Sequence, residues 1–427
     1  MQDGVRGMTG RGRIGRRALG ATALGAAVLG LPAARAQQPA ELRLGAIFPL
    51  SGPLALPGDE SFRGVELATE ERNAAGGVLG RPIKLVRADA PDETTAAAET
   101  RRLVAGADRV AAIFGSFASG IALPGSQLAE AAGVPWFELG AIGDALVERG
   151  FRWVFRASPS AIDFAAVAIE GITDVLAPGP SSCAMAIFNW SGGTPRPGAQ
   201  SVGAAQESLA RVRGLTLVER ASYASRSADL GALVQRLRGQ GAEVVLHSGM
   251  PGDELLLFRA LRDAGWRPRM VIGTAGGYGL AETARSLGDA LLGAMSVDLT
   301  PFAVNERYAP GARAFADTYL RRYGAEPRSG HGLAAYVGAK LFLDALHRAG
   351  GVEKERVRAA VLALDVAEGT TPTGWGARFD ERGQNSRAKP LLCQWQQAPA
   401  GTPPGLRQVV VHPSQAAVAP ASMRLGG

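Results

Sequence analysis

From residue 41 onward, short runs of aliphatic and β-branched residues alternate with longer amphipathic stretches. The runs at 42–48, 83–87, 110–114, 134–137 and 153–156 are bounded by turn residues and predict strands. Between them, 62–75, 95–105 and 120–132 carry apolar residues three and four apart, the helical period. Stops such as Ala75-Gly76-Gly77 and Ala132-Gly133 end these helices, because glycine enters the left-handed region at little cost. A second series follows, with strands at 183–189, 215–223, 244–247 and 270–273 and helices at 200–212, 229–238 and 253–264. Such alternation is the signature of parallel sheets built from βαβ units.

Two series of this kind exceed one doubly wound sheet. The expected fold is therefore α/β, with two Rossmann-like lobes whose junction falls near residues 156–160, where Pro159 blocks a strand from continuing. Beyond the second series come a strand at 294–299, helices at 310–322 and 331–349, a turn-rich stretch at 368–383 and strands at 391–395 and 409–411. Residues 413–427 lack periodicity and read as a mobile tail.

The front of the chain reads differently. Residues 1–36 combine an Arg-rich start, an apolar run from Ala18 to Leu31 interrupted by glycines, and a small-x-small site at Ala34-Arg35-Ala36, an export signal with cleavage expected before Gln37. The run falls short of the roughly 20 residues a membrane span needs. Arg16-Arg17 fits a twin-arginine signal, and an Arg-rich Sec signal fits as well. No lipobox cysteine follows, so the expected location is the periplasm.

This segment also explains the charge. Of 46 basic residues six lie in it, leaving 40, and of 39 acidic residues one, leaving 38. A mature chain so nearly balanced gives no footing for a nucleic-acid partner. Apolar content of 46% with 20% charged residues is globular. Cys183 and Cys393 either form one disulfide in an oxidising compartment or remain two buried thiols.

Catalytic patterns are missing. His247, His331, His347 and His412 have no metal-ligand spacing, and the chain has neither a phosphate-binding Gly-x-x-x-x-Gly-Lys loop nor a Gly-x-Ser-x-Gly elbow. The glycines of 273–279 follow a strand but not in Gly-x-Gly-x-x-Gly order. No metal, cofactor or enzymatic activity is expected. What remains is a set of small-residue loops after strands: Pro49 to Pro53, Gly115 to Gly120, and Leu139 to Gly143. Ligands of open parallel sheets sit at these carboxyl ends. Ser119-Gly120 opens a helix, where Ser119 either receives an anion or acts as an N-cap.

The order of these features resembles the type I periplasmic solute-binding proteins of ABC importers, in the branched-chain amino acid (Leu/Ile/Val)-binding family, over nearly all of residues 41–412. The resemblance is carried by Pro49-Leu50-Ser51-Gly52-Pro53 with Gly58-Asp59 and Phe62-Arg63-Gly64, by Glu71 to Gly80, by Gly115-Ser116 to Ser119, and by Phe155-Arg156-Ala157-Ser158-Pro159. Phe315-Ala316 to Tyr323-Gly324 and Ala334-Ala335-Tyr336 to Leu346 extend it.

It implies two lobes joined by three hinge crossovers, near Ser158, Leu299 and Thr370. Residues 41–157 with 300–368 would form one lobe and 158–299 with 369–412 the other. It implies a ligand carboxylate held by Ser119, Gly140 and Ala141, with Ile142 where the family has threonine, Met250 where it has a cleft tyrosine, and Ala275 where it has the acid that meets the ligand ammonium. A small disulfide of some members is absent, since Pro91 and Ala118 stand there. The expected cleft comprises Ser51, Phe117, Ser119, Gly140, Ala141, Ile142, Trp190, Met250, Ala275, Gly276, Gly277 and His331. With no acid at Ala275, the cleft is expected to prefer a carboxylate or amide without a free α-ammonium, unless Glu138 or Asp144 substitutes. The implied role is capture of a small organic solute by a monomeric receptor that delivers it to ABC permease subunits. A receptor signalling to another partner is the alternative.

Overall fold

The computed structural model describes residues 40–176, 179–189, 197–225, 229–274, 276–398 and 405–426. The first series runs β1 (Leu42–Phe48), α1 (Ala55–Ala74), β2 (Ile83–Asp89), α2 (Glu93–Val104), β3 (Ile113–Gly115), α3 (Ser119–Ala132), β4 (Trp136–Glu138), α4 (Ala145–Glu148) and β5 (Val154–Arg156). Its five strands form a parallel sheet in the order β2-β1-β3-β4-β5. The strands read as apolar because helices cover both faces. Leu44, Ala46 and Phe48 join one cluster with Phe62 and Val65 of α1, while Ile47 joins Leu103, Ile113 and Trp136 in another. Helix α1 begins well before the expected residue 62, since Pro57 falls in its first turn, where a missing N–H costs nothing.

The second series runs α5 (Ala161–Glu170), β6 (Ser182–Asn189), α6 (Pro197–Val212), β7 (Thr216–Ala224), α7 (Gly231–Gly239), β8 (Val244–Ser248), α8 (Asp253–Asp263), β9 (Met270–Thr274), α9 (Ala281–Leu287) and β10 (Met295–Asp298). Then come α10 (Ala312–Tyr323), α11 (Gly330–Arg348), α12 (Lys354–Leu362), β11 (Asp365–Val366), β12 (Ala377–Arg378), β13 (Leu391–Gln397) and β14 (Leu406–His412). The second sheet has the order β14-β13-β10-β9-β8-β6-β7, parallel from β7 to β10, with β13 and β14 added antiparallel. The architecture is α/β, two Rossmann-like lobes with parallel-sheet cores.

Helix α11 returns to the first lobe and lies on α1, where a Cβ on Gly64 would stand 2.2 Å from the Gly332 carbonyl oxygen. Its Phe342 stacks on Phe137 of β4 at 4.2 Å. Residues 377–385 stay with this lobe: Phe379 packs on Phe342, and Gln384 bridges to Arg156 beside β5. The chain therefore crosses back to the second sheet after Asn385, later than Thr370. The tail is also packed rather than loose. Ala416 is buried and its carbonyl accepts from Asn305, the Val418 amide donates to Val410, and Gly426 donates to Leu292. Cys183 and Cys393 are both free and buried, so the disulfide expectation gives way to two thiols. Among the described residues no helix is long and apolar enough to cross a membrane.

Candidate functional site

The carboxyl ends of strands from both sheets converge on one cavity of about 100 Å³. Such ends, at the points where strand order reverses, are where open α/β sheets hold ligands. The first lobe contributes Leu54 after β1, Phe117 to Gly120 after β3, and Gly140 and Ile142 after β4. The second lobe contributes the first turn of α6, the loop Gly249 to Pro251 after β8, and Gly276 after β9. Asp298 and Leu299 at the end of β10, Phe164 of α5 and His331 at the start of α11 complete the lining.

The loop after β4 is shaped from within by a carboxylate. Glu138 is fully buried, and its Oε1 accepts from the amides of Ser116 at 2.7 Å, Leu139 at 3.1 Å, Gly140 at 3.0 Å and Ala141 at 2.8 Å. Its Oε2 accepts from the Trp136 indole at 3.0 Å. Arg156, also buried, donates to the Gly143 carbonyl at 2.9 Å and to Gln384. Burial, opposed by nearby Asp144 and Glu138, brings its guanidinium down to about 10. The amides of Gly140 and Ala141 are thus taken by Glu138 and do not face a ligand. Ser119 is not an N-cap either, since Ala118 holds that position. The Ser119 hydroxyl accepts from the Gly143 amide at 3.0 Å, and its own proton has no acceptor among the described residues.

In the second lobe two acids at the start of α8 hold both ligand-side loops. Asp253 accepts from the Met250 amide at 2.9 Å, and Glu254 accepts from Gly252 at 2.9 Å and Gly277 at 2.6 Å. Burial pushes Glu254 up to about 7 against those amides. Gly276, at φ +70°, brings the two loops together, and a Cβ there would stand 2.2 Å from the Gly249 carbonyl oxygen. Beneath them His247 is fully buried and neutral, burial lowering it to about 3. It lies 2.7 Å from both Tyr223 and Tyr278 hydroxyls, and Tyr223 donates to Asp253 at 3.2 Å. Since the one Tyr223 proton goes to Asp253, His247 donates to Tyr223 from Nε2 and accepts from Tyr278 at Nδ1.

Among the described residues that line the cavity, three carry polar side chains: Ser119, His331 and Asp298. His331 packs edge-on against Phe117, with ring centroids 4.9 Å apart, and its Nδ1 lies 2.9 Å from the Ser329 hydroxyl. Burial holds it below its ordinary range, opposed by the Asp298 charge. Asp298 was not among the expected cleft residues. Its signal was an acid inside the apolar run Met295-Ser296-Val297-Asp298-Leu299, at the carboxyl end of a strand.

Of the expected cleft residues, Phe117, Ser119, Gly140, Ile142, Met250, Gly276 and His331 come together around the cavity. Ser51 does not; it is exposed, its amide on the Asp89 carboxylate. Ala141 turns into the core against the other face of the first sheet. Gly277 sits behind Gly276 on Glu254. Trp190 and Ala275 lie outside the described residues. Neither Glu138 nor Asp144 lines the cavity, since Glu138 is enclosed by amides and Asp144 accepts from Ala161 at 3.2 Å.

Residues 41–396 match the family model described as periplasmic binding protein. The chain is 41% identical to Leu/Ile/Val-binding protein homolog 7 of Brucella suis, over 90% of this chain and 95% of the relative. It is 38% identical to homolog 8 of Brucella abortus, over 89% and 92%. Among solved structures, the branched-chain amino acid substrate-binding protein LivJ of Streptococcus pneumoniae, in complex with isoleucine, superposes with a TM-score of 0.71 at 20% identity, over 86% of this chain and 99% of that one. A solute-binding protein of Rhodopseudomonas palustris in complex with 3,4-dihydroxy benzoic acid gives 0.70 at 18%, over 86% and 95%. The sheet order, the cavity at the strand ends and these matches agree, and the chain belongs to the periplasmic binding proteins of the branched-chain amino acid ABC transporter type.

Proposed function

We propose that this chain, exported through the signal at residues 1–36 and working as a monomer, captures a small solute with a carboxylate or amide end and an apolar body, and presents it to ABC permease subunits. The observation that carries this reading is the Ser119 hydroxyl, buried at the cavity wall with an unused proton while its oxygen is fixed by Gly143. A buried donor without an acceptor is costly, and a ligand oxygen there would relieve it. The remaining wall, from Leu54, Phe117, Ile142, Phe164, Met250 and Leu299, is suited to an apolar body. This reading requires no turnover: the solute is held, and the lobes close on it because it binds the closed arrangement better.

The test is a thermal-shift screen of small carboxylates, amides and amino acids against protein stripped of copurified ligand. A ligand at 100 times its Kd stabilises by about 2.7 kcal/mol, an easily read shift. Hits that keep their shift in Ser119→Ala, or a complete absence of hits, would count against the reading.

A further inference from the structure

Glu138 and Asp298 are both buried carboxylates near the cleft, and they are held very differently. Glu138 is enclosed by backbone amides and an indole N–H. Asp298, 8% exposed, has two neutral donors: the Leu299 amide on Oδ1 at 2.8 Å and the Gln408 side chain on Oδ2 at 3.2 Å. Among the described residues it has no ion-pair partner. A carboxylate offers about four acceptor sites, so roughly half its capacity is left unused by the described residues, and the residue lines the cavity.

Among the described residues no Lys or Arg pairs with Asp298. His331 stands on the same wall, and burial lowers its pKa against the opposing pull of the Asp298 charge. Burial likewise raises the Asp298 carboxyl, the direction expected of a charge lacking a cation. A buried charge is normally paired, and the cavity that Asp298 lines is the space from which a ligand cation would reach it.

We propose that Asp298 receives a cationic nitrogen of the bound solute, so that the counter-charge the family resemblance locates at Ala275 is supplied in this chain from the end of β10. The inference rests on the capture reading and adds a second anchor to it. The solute's acceptor end meets Ser119, its ammonium meets Asp298, and its apolar body fills the space between. That role for Asp298 stands against the expectation of a solute without a free ammonium, which rested on Ala275 together with Ile142 and Met250.

The test pairs amino acids with their deaminated counterparts: leucine, valine and phenylalanine against isocaproate, isovalerate and hydrocinnamate, by calorimetry on ligand-stripped protein. Binding is expected in the amine-bearing set, at least about tenfold tighter than each deaminated partner. Asp298→Asn is expected to remove most of that difference, and the wild-type comparison stands even if this variant folds poorly. Tighter binding of the deaminated set, or an unchanged preference in Asp298→Asn, would overturn the Asp298 assignment and leave capture intact. Binding by neither set would overturn both.

Discussion

Ser119 shows how one hydroxyl serves two purposes. Its oxygen fixes the Gly143 amide and thereby the loop after β4, and in the proposed reading its proton goes to the ligand. Ser119→Ala therefore removes a bond to the ligand and leaves the Gly143 amide without its partner. Loss of a hydrogen bond to a charged group costs about 1.5–3 kcal/mol, so calorimetry should read a Kd raised roughly ten- to hundredfold. Glu254 makes a prediction of a different kind. Its carboxyl is raised from an ordinary 4.5 to about 7 by burial, so the native state holds a proton that the unfolded chain releases. The associated stability is full below about 4.5 and is lost as pH rises through about 7. Glu60, raised to about 7 by burial in the first lobe, acts in the same direction. Glu254→Gln, neutral at every pH, should show a shallower decline in urea midpoint over that window, by an amount on the order of 1 kcal/mol. Identical slopes in parent and variant would refute this.

Secondary elements were the most legible level, for reasons tied to particular stretches. Leu42–Phe48 alternates between the two faces of a covered sheet, and 120–132 ends at Gly133 in the left-handed region, so period and stop were both written in the residues. The direction of β13 and β14 was not, because antiparallel pairing depends on where the chain re-enters the sheet. The third crossover was misplaced for a similar reason: Phe379 and Gln384 are held by Phe342 and Arg156, contacts distant in sequence. At the site, Phe117, Ser119 and His331 could be named from loop position, but the fate of the Gly140 and Ala141 amides could not. A backbone N–H carries no letter, and its capture depends on Glu138 folding back under its own strand end. The contact of α1 with α11 supplies a test at this scale. With the Gly332 carbonyl 2.2 Å from where a Cβ would stand, Gly64→Ala forces the helices apart. It should destabilise by about 1–3 kcal/mol in denaturant unfolding, whereas an unchanged midpoint would mean the helices separate freely.

At the scale of the molecule, a binding protein of this fold works by the relative position of its lobes, so contacts between lobes set how long a ligand stays. Arg328, in the connection between α10 and α11, is placed to act this way. Its guanidinium lies 3.5 Å from Asp59 and 3.8 Å from Glu60, both in α1 of the first lobe, and 3.5 Å from Glu282 in α9 of the second. Its carbonyl accepts from the Ala281 amide at 3.3 Å, so backbone and side chain together span the gap. An exposed pair contributes about 0.2–1 kcal/mol. One guanidinium shared by three carboxylates, with Glu60 fully buried, should be at the upper end of that range. None of these groups lines the cavity, so removing the cation weakens this contact between the lobes without removing a cavity-lining group. Arg328→Met should therefore raise the ligand dissociation rate about two- to fivefold with little change in association, measured by stopped-flow on a ligand found in the screen. Arg328→Lys, which keeps the charge but not the fork of donors, should fall between. A dissociation rate equal to the parent's would show that the bridge persists when the lobes open and has no part in retention.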